Sequence, residues 1–246
     1  MKFAAASIAL FVTVHLSPAC ATDLGPDVLI KGAYARVTMF MGDRLRDNDA
    51  LAAHCRQETR DWAKAIEVGE RAKSSAPPAD APRFGRRYDI SEIVGHRYVS
   101  VIRRSDIDIN ATDEAGKTDT FLWDSTTSKV ISPAGLFDET EDNGPAMTRL
   151  LQEVTLGVHR EIGRERAADS IGTLRPTLSG IGPFSLAPST VSSKSSGLNF
   201  HFASSMRGRF GLQDITVFVS WKKFQNHLSP YGRTVFGGNW RERHIW

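Results

Sequence analysis

The chain has 246 residues, 41% hydrophobic and 24% charged, with a formal net charge of +3. That is the composition of an ordinary globular protein, and a charge so near neutrality argues against a nucleic-acid binder. After the N-terminal stretch, no apolar run is long enough to cross a bilayer as a helix.

Residues 1–21 read as a cleaved export signal. Lys2 precedes a run from Phe3 to Leu16 that is apolar except for Ser7, Thr13 and His15. Ser17-Pro18-Ala19-Cys20-Ala21 follows, with Ala19 and Ala21 in the small-x-small arrangement of a signal-peptidase site. The expected location is periplasmic or secreted. The rival is a lipid anchor on Cys20, but Ser17 stands where a lipobox wants leucine. Cleavage after Ala21 leaves Cys55 as the one remaining cysteine, so no internal disulfide is possible. A buried thiol on a helix is expected there.

A strand is expected over Ala33–Phe40. Asn48-Asp49 then caps a helix from Ala50 to about Lys73. Its apolar face carries Leu51, Cys55, Trp62 and Ile66, and Glu58 sits where that face wants an apolar residue. Pro77-Pro78 closes the helical region. Strands follow at Arg83–Ile93 and Arg97–Asn110, then a turn at Ala115-Gly116-Lys117 and a returning strand at Thr118–Trp123. Lys129-Val130-Ile131 resumes the sheet after a polar turn. Ser132-Pro133 opens a short helical turn holding Leu136 and Phe137.

A second long helix starts at Asn143-Gly144-Pro145, with a stripe of Met147, Leu150, Leu151, Val154, Val158 and Ile162. Ile171–Ser196 reads as loop with a short strand around Phe184–Leu186. Gly197–Trp221 reads as a hairpin whose two strands alternate Phe200/Phe202 and Val217/Val219. A short helix at Trp221–Leu228 and a basic aromatic tail, 231–246, complete the chain. The fold class is α+β: an antiparallel or mixed sheet with two long helices packed on it.

The stretch Phe121-Leu122-Trp123-Asp124-Ser125-Thr126-Thr127-Ser128-Lys129-Val130-Ile131-Ser132-Pro133-Ala134-Gly135-Leu136-Phe137 carries a recognisable order of residues. Phe200-His201-Phe202, Gly208 and Phe210 add a hairpin signature. Together they resemble the extracellular domain of RsiV-type anti-sigma factors, also found beside the deacetylase domain of PdaC-type peptidoglycan enzymes. The chain departs from that pattern at Ser204-Ser205 and Arg209, and Asp106–Gly116 replaces the family's Gly-Gly-x-His turn. The resemblance implies an α+β domain over residues 97–230, preceded by a smaller subdomain at 22–96. It also implies an envelope binding module of unknown chemistry, whose anti-sigma members sense lysozyme.

The candidate contact is the loop of that hairpin: Arg207, Gly208, Arg209 and Phe210. Two planar guanidinium forks beside an aromatic suit the carboxylates of peptidoglycan stems or an acidic protein surface. The alternative is a solvated hairpin tip. Phe200 and Phe202 are expected in the core.

Asp106, Asp108 and Asn110 share a strand face. An EF-hand counted from Asp106 fails, because Ala111 and Lys117 stand where glycine and an acid are required. The histidines show no metal-pair spacing, and there is no G-x-S-x-G elbow and no phosphate loop. No catalytic residue, metal or cofactor is assigned. The expected function is a non-catalytic, exported envelope binding module, with peptidoglycan or a lysozyme-like protein as partner. The alternatives are an enzyme acting on envelope glycans through carboxylates such as Asp106 and Asp108, and a structural subunit docking through the tail.

Overall fold

Asn48 supplies the cap that starts the longest helix: its side-chain oxygen accepts from the Leu51 N–H at 3.1 Å. In this computed structural model, residues 25–74, 76–109, 112–163, 171–202 and 215–241 are described. Two strands, β1 (Val28–Lys31) and β2 (Arg36–Met41), lead through the short helix α1 (Asp43–Arg46) into α2 (Asp49–Lys73). Next come β3 (Arg83–Val94), β4 (Tyr98–Ile109), β5 (Thr112–Asp124) and β6 (Lys129–Ile131).

These six strands form one mixed sheet in chain order. β2 and β3 are parallel, because α2 carries the chain back to the sheet's starting end; the other pairs are antiparallel. Gly95 and His96 both take positive φ, 60° and 57°, at the centre of a tight turn that the Arg97 N–H closes by donating to Val94 C=O at 3.1 Å, and this turn between β3 and β4 follows the natural strand twist. β3 and β4 pair almost end to end across residues 96/97, the boundary expected between two subdomains.

The turn expected at Ala115–Lys117 is instead part of β5, which pairs with β4 back to Ile109↔Thr112. The register shifts between Ser105 and Ile107. Gly116 fits there because the Asp106 carboxylate lies where a side chain would stand. The glycine marks a bulge rather than a turn.

A 3-10 turn at Pro133–Leu136 follows β6, and Ser132 caps it by accepting from Ala134 N–H. The helix α3 (Pro145–Ile162) begins with proline where no donor is needed. Gly144 has no side chain to cap it, so Glu139 reaches in and accepts from Ala146 N–H at 2.6 Å. A second, three-stranded antiparallel sheet holds β7 (Phe184–Leu186), β8 (Gly197–Phe202) and β9 (Ile215–Ser220). The helix expected at Trp221–Leu228 is two separate 3-10 turns, and α4 (Pro230–Val235) follows.

The helices do not share one sheet. α2 covers one face of the six-stranded sheet, burying Leu51, Ala52 and Cys55 against Met39, Met41, Tyr88, Val99, Val101 and Trp123. α3 packs on β9, and its stripe of Met147, Leu150, Val154 and Val158 meets Leu198, Phe200, Val217 and Val219. Val94, Tyr98 and Leu122 of the large sheet join that second core from their other face. Val235 and Phe236 pack into it too, and Trp240 packs at a tilt against Phe218, 4.4 Å between ring centroids. The part of the expected tail that is described, through Arg241, therefore lies back on the domain.

Candidate functional site

Arg207, Gly208, Arg209 and Phe210 lie outside the described residues, but the strands before and after them in the chain are described. β8 and β9 pair from Gly197↔Ser220 to Phe202↔Ile215, so residues 203–214 leave from one end of the small sheet. Phe200 and Phe202 are core residues, as expected. The Phe202 ring lies against Gly182.

Gly182 belongs to a groove of about 230 Å³ beside that strand end. One wall is Asp119, Thr120, Phe121 and Leu122 of β5. The other runs from Leu178 and Ser179 through Pro183 to Phe184, and Pro133 closes one end. The Ser/Pro/Gly-rich segment that builds the second wall has no periodicity, so its sequence does not announce a groove.

Polar side chains concentrate under α2. Glu58 interrupts the apolar face of the helix because two strand arginines meet it there. Arg103 donates to Glu58 Oε1 and, at 2.9 Å, to Asp119. Arg86 stands 4.0 Å from the same Glu58 oxygen and lies over the Trp62 ring at 3.8 Å. The Tyr88 hydroxyl donates to Glu58 Oε2 at 3.0 Å and lies 3.2 Å from the Thr59 hydroxyl. Burial raises the Tyr88 phenol above its ordinary value. Burial also pushes the neighbouring Cys55 thiol up to about 12, so it is an inert buried thiol, as expected. His54 rests against Phe121 and Trp123, and burial lowers its pKa.

The motif residue Asp124 has a structural role. Arg97 donates to it at 2.7 Å, and Thr126 adds its backbone N–H and its hydroxyl. The Arg97 guanidinium holds the carboxyl well below the usual carboxylate range, with Thr126 helping and burial opposing. Leu136 and Phe137, at the far end of the same motif, are buried in the core beside Phe224. The motif thus ties the β5–β6 turn to the second core.

Asp106 is exposed at the distal part of β4, and the side chain of Asp108 lies outside the described set. Ser185 Oγ and His201 Nε2 are 2.8 Å apart, but Ser185 is fully buried, so the pair braces β7 to β8 and presents no nucleophile. Among the described residues, no group of three or more His, Cys, Asp or Glu side chains is placed to hold a metal ion. No described helix is long and apolar enough to cross a membrane.

Solved structures similar to this chain are DUF3298 family proteins, a domain of unknown function. One, from Bacteroides fragilis NCTC 9343, is 9% identical with a TM-score of 0.48, and the match covers 81% of this chain and 87% of that one. Another, from Pseudomonas aeruginosa PAO1, is 11% identical with a TM-score of 0.47, covering 86% and 94%. No family model matches the chain. The search of curated proteins also found no match.

Proposed function

We propose that this chain is an exported, non-catalytic binding module of the cell envelope, of the type that accompanies RsiV-like sensors and PdaC-like enzymes. Its ligand is peptidoglycan or a peptidoglycan-acting protein such as a lysozyme. The observation that carries the reading is the signal-like sequence of residues 1–21 joined, in the same chain, to Arg207, Gly208, Arg209 and Phe210 between two hairpin strands. Two further features support it. The strands bearing the loop are anchored in the core through Phe200 and Val217, which gives the loop a rigid base. The paired charges under α2 and at Asp124 are spent on one another, which leaves recognition to surface groups.

The test is co-sedimentation of residues 22–246 with purified sacculi, and complex formation with lysozyme by gel filtration. Replacing both arginines, Arg207→Ala with Arg209→Ala, is expected to weaken binding at least tenfold while the fold is kept. Unchanged binding would remove the loop from the contact. The reading as a glycan-acting enzyme predicts released or deacetylated fragments by mass spectrometry. The reading as a docking subunit predicts loss of co-purifying proteins when residues 237–246 are deleted.

A further inference from the structure

The large sheet has a second face, opposite α2. Val37, Met39 and Phe84 pack on the helix side, so their strand neighbours Arg36, Thr38, Phe40 and Arg83 belong to the other face. The register sets Lys31, Arg36 and Arg83 directly across from one another on β1, β2 and β3. Lys31 and Arg83 are exposed and Arg36 is half-buried. Like charges directly opposite one another destabilise a sheet. Elsewhere on this face the repulsion is relieved, because Asp89 meets Arg87 at 2.9 Å and Arg104 at 3.6 Å. Among the described residues, no ion pair or side-chain hydrogen bond reaches Lys31, Arg36 or Arg83. Asp108 takes the next place in the row, opposite Arg83 on β4, and a single acid there still leaves the row positive. The Asp106 carboxylate lies instead against Gly116 of β5. Two large apolar side chains share the face: Leu29 is 48% exposed and Phe40 37%. They are diagonal neighbours across β1 and β2.

We propose that this face docks on an anionic lipid bilayer, with Lys31, Arg36 and Arg83 on the headgroup phosphates and Leu29 and Phe40 in the interfacial layer. Charge complementarity selects the partner: headgroup phosphates supply the counter-charges that the row lacks. The arrangement selects a lipid surface over a protein. Protein interfaces keep charge out of their centres and close on an apolar core. Here Arg36 stands in the middle of the row, and the apolar pair lies beside it. On a bilayer the two contributions add, because cations attract anionic lipid while apolar side chains enter the headgroup boundary. Lipids also diffuse laterally, so a flat row of cations needs no matching pocket. The small net charge of the chain is no obstacle, since only the face that meets the bilayer has to be positive. This inference goes beyond the envelope reading and does not rest on the ligand of residues 207–210.

The test is sedimentation of residues 22–246, which leave out the apolar run at 3–16, with lipid vesicles. One set is phosphatidylcholine alone and the other is an equal mixture with phosphatidylglycerol. Binding is expected only to the mixed vesicles, and it should weaken as salt is raised. Arg36→Glu sets a carboxylate between Lys31 and Arg83. Its affinity for the mixed vesicles should fall at least tenfold, because each cation near an anionic surface contributes about fivefold. Its thermal midpoint should hold or rise, because the repulsive row gains opposite-charge neighbours. Should Arg36→Glu misfold by circular dichroism, Lys31→Glu with Arg83→Glu should cause the same loss of binding. Arg60→Glu makes the same change of net charge at an exposed position of α2 and should bind like the unaltered protein. Leu29→Ser with Phe40→Ser should weaken binding while the salt dependence is kept. Three results would overturn the proposal. They are no preference for the mixed vesicles, a loss on Arg36→Glu no greater than on Arg60→Glu, and release by inorganic phosphate at constant ionic strength. The last would assign the row to a small anion.

Discussion

Asp124 and Arg97 form the pair whose pH behaviour is easiest to read. The carboxylate titrates below its ordinary value in the folded protein because Arg97 and Thr126 stabilise its charge. A lowered folded-state pKa contributes stability that is complete above the unfolded value, near 4, and is lost as pH falls below it. The thermal midpoint of the protein should therefore exceed that of Asp124→Asn most clearly above about pH 5. The gap should narrow steadily below about pH 4. A gap independent of pH would mean that the pair adds no charge-dependent stability. Asp124 could be singled out in the sequence as part of a motif. Arg97 could not, because the contact depends on the register of β4 and β5.

The contact of α2 with its sheet rests on Glu58. Its place on the apolar face marks it as anomalous, but its partners Arg86, Tyr88 and Arg103 come from strands far along the chain, and helical periodicity carries no sign of them. Glu58→Ala leaves the buried Arg86 without a carboxylate and Arg103 with Asp119 alone. It should cost about 3 kcal/mol by urea denaturation. A loss below ~1 kcal/mol would reduce the network to surface charge. The α3–β9 contact depends on size instead. Gly157 lies directly on Val217, so a methyl group there would collide with Cγ1 of that buried side chain. Gly157→Ala should cost ~1–3 kcal/mol despite alanine's better helix propensity. Val217→Ala should recover part of that cost in a double-mutant cycle. Additive losses would show that the two residues do not press on one another.

At the scale of the whole molecule, the α+β class and both long helices were legible, because caps, prolines and apolar stripes are local signals. Asn48, Pro145 and the Met147–Val158 stripe fall where the structure uses them. The partition into two sheets was not legible: Phe184–Leu186 and Val217–Val219 alternate like any strand, and only their partners show that they leave the large sheet. Gly116 reads as a turn when its neighbours are unknown and serves a bulge when Asp106 is placed beside it. The candidate site divides differently. The loop cations stand in the sequence, whereas the groove at β5 exists only because the segment from Leu178 to Phe184 packs against it.

The most direct measurement is calorimetric titration of folded residues 22–246 with lysozyme and then with soluble peptidoglycan fragments. The account requires saturable heat with one of them, reduced at least tenfold in affinity by Arg207→Ala with Arg209→Ala. No heat with either ligand would contradict the envelope-binding reading and leave only a resemblance of fold.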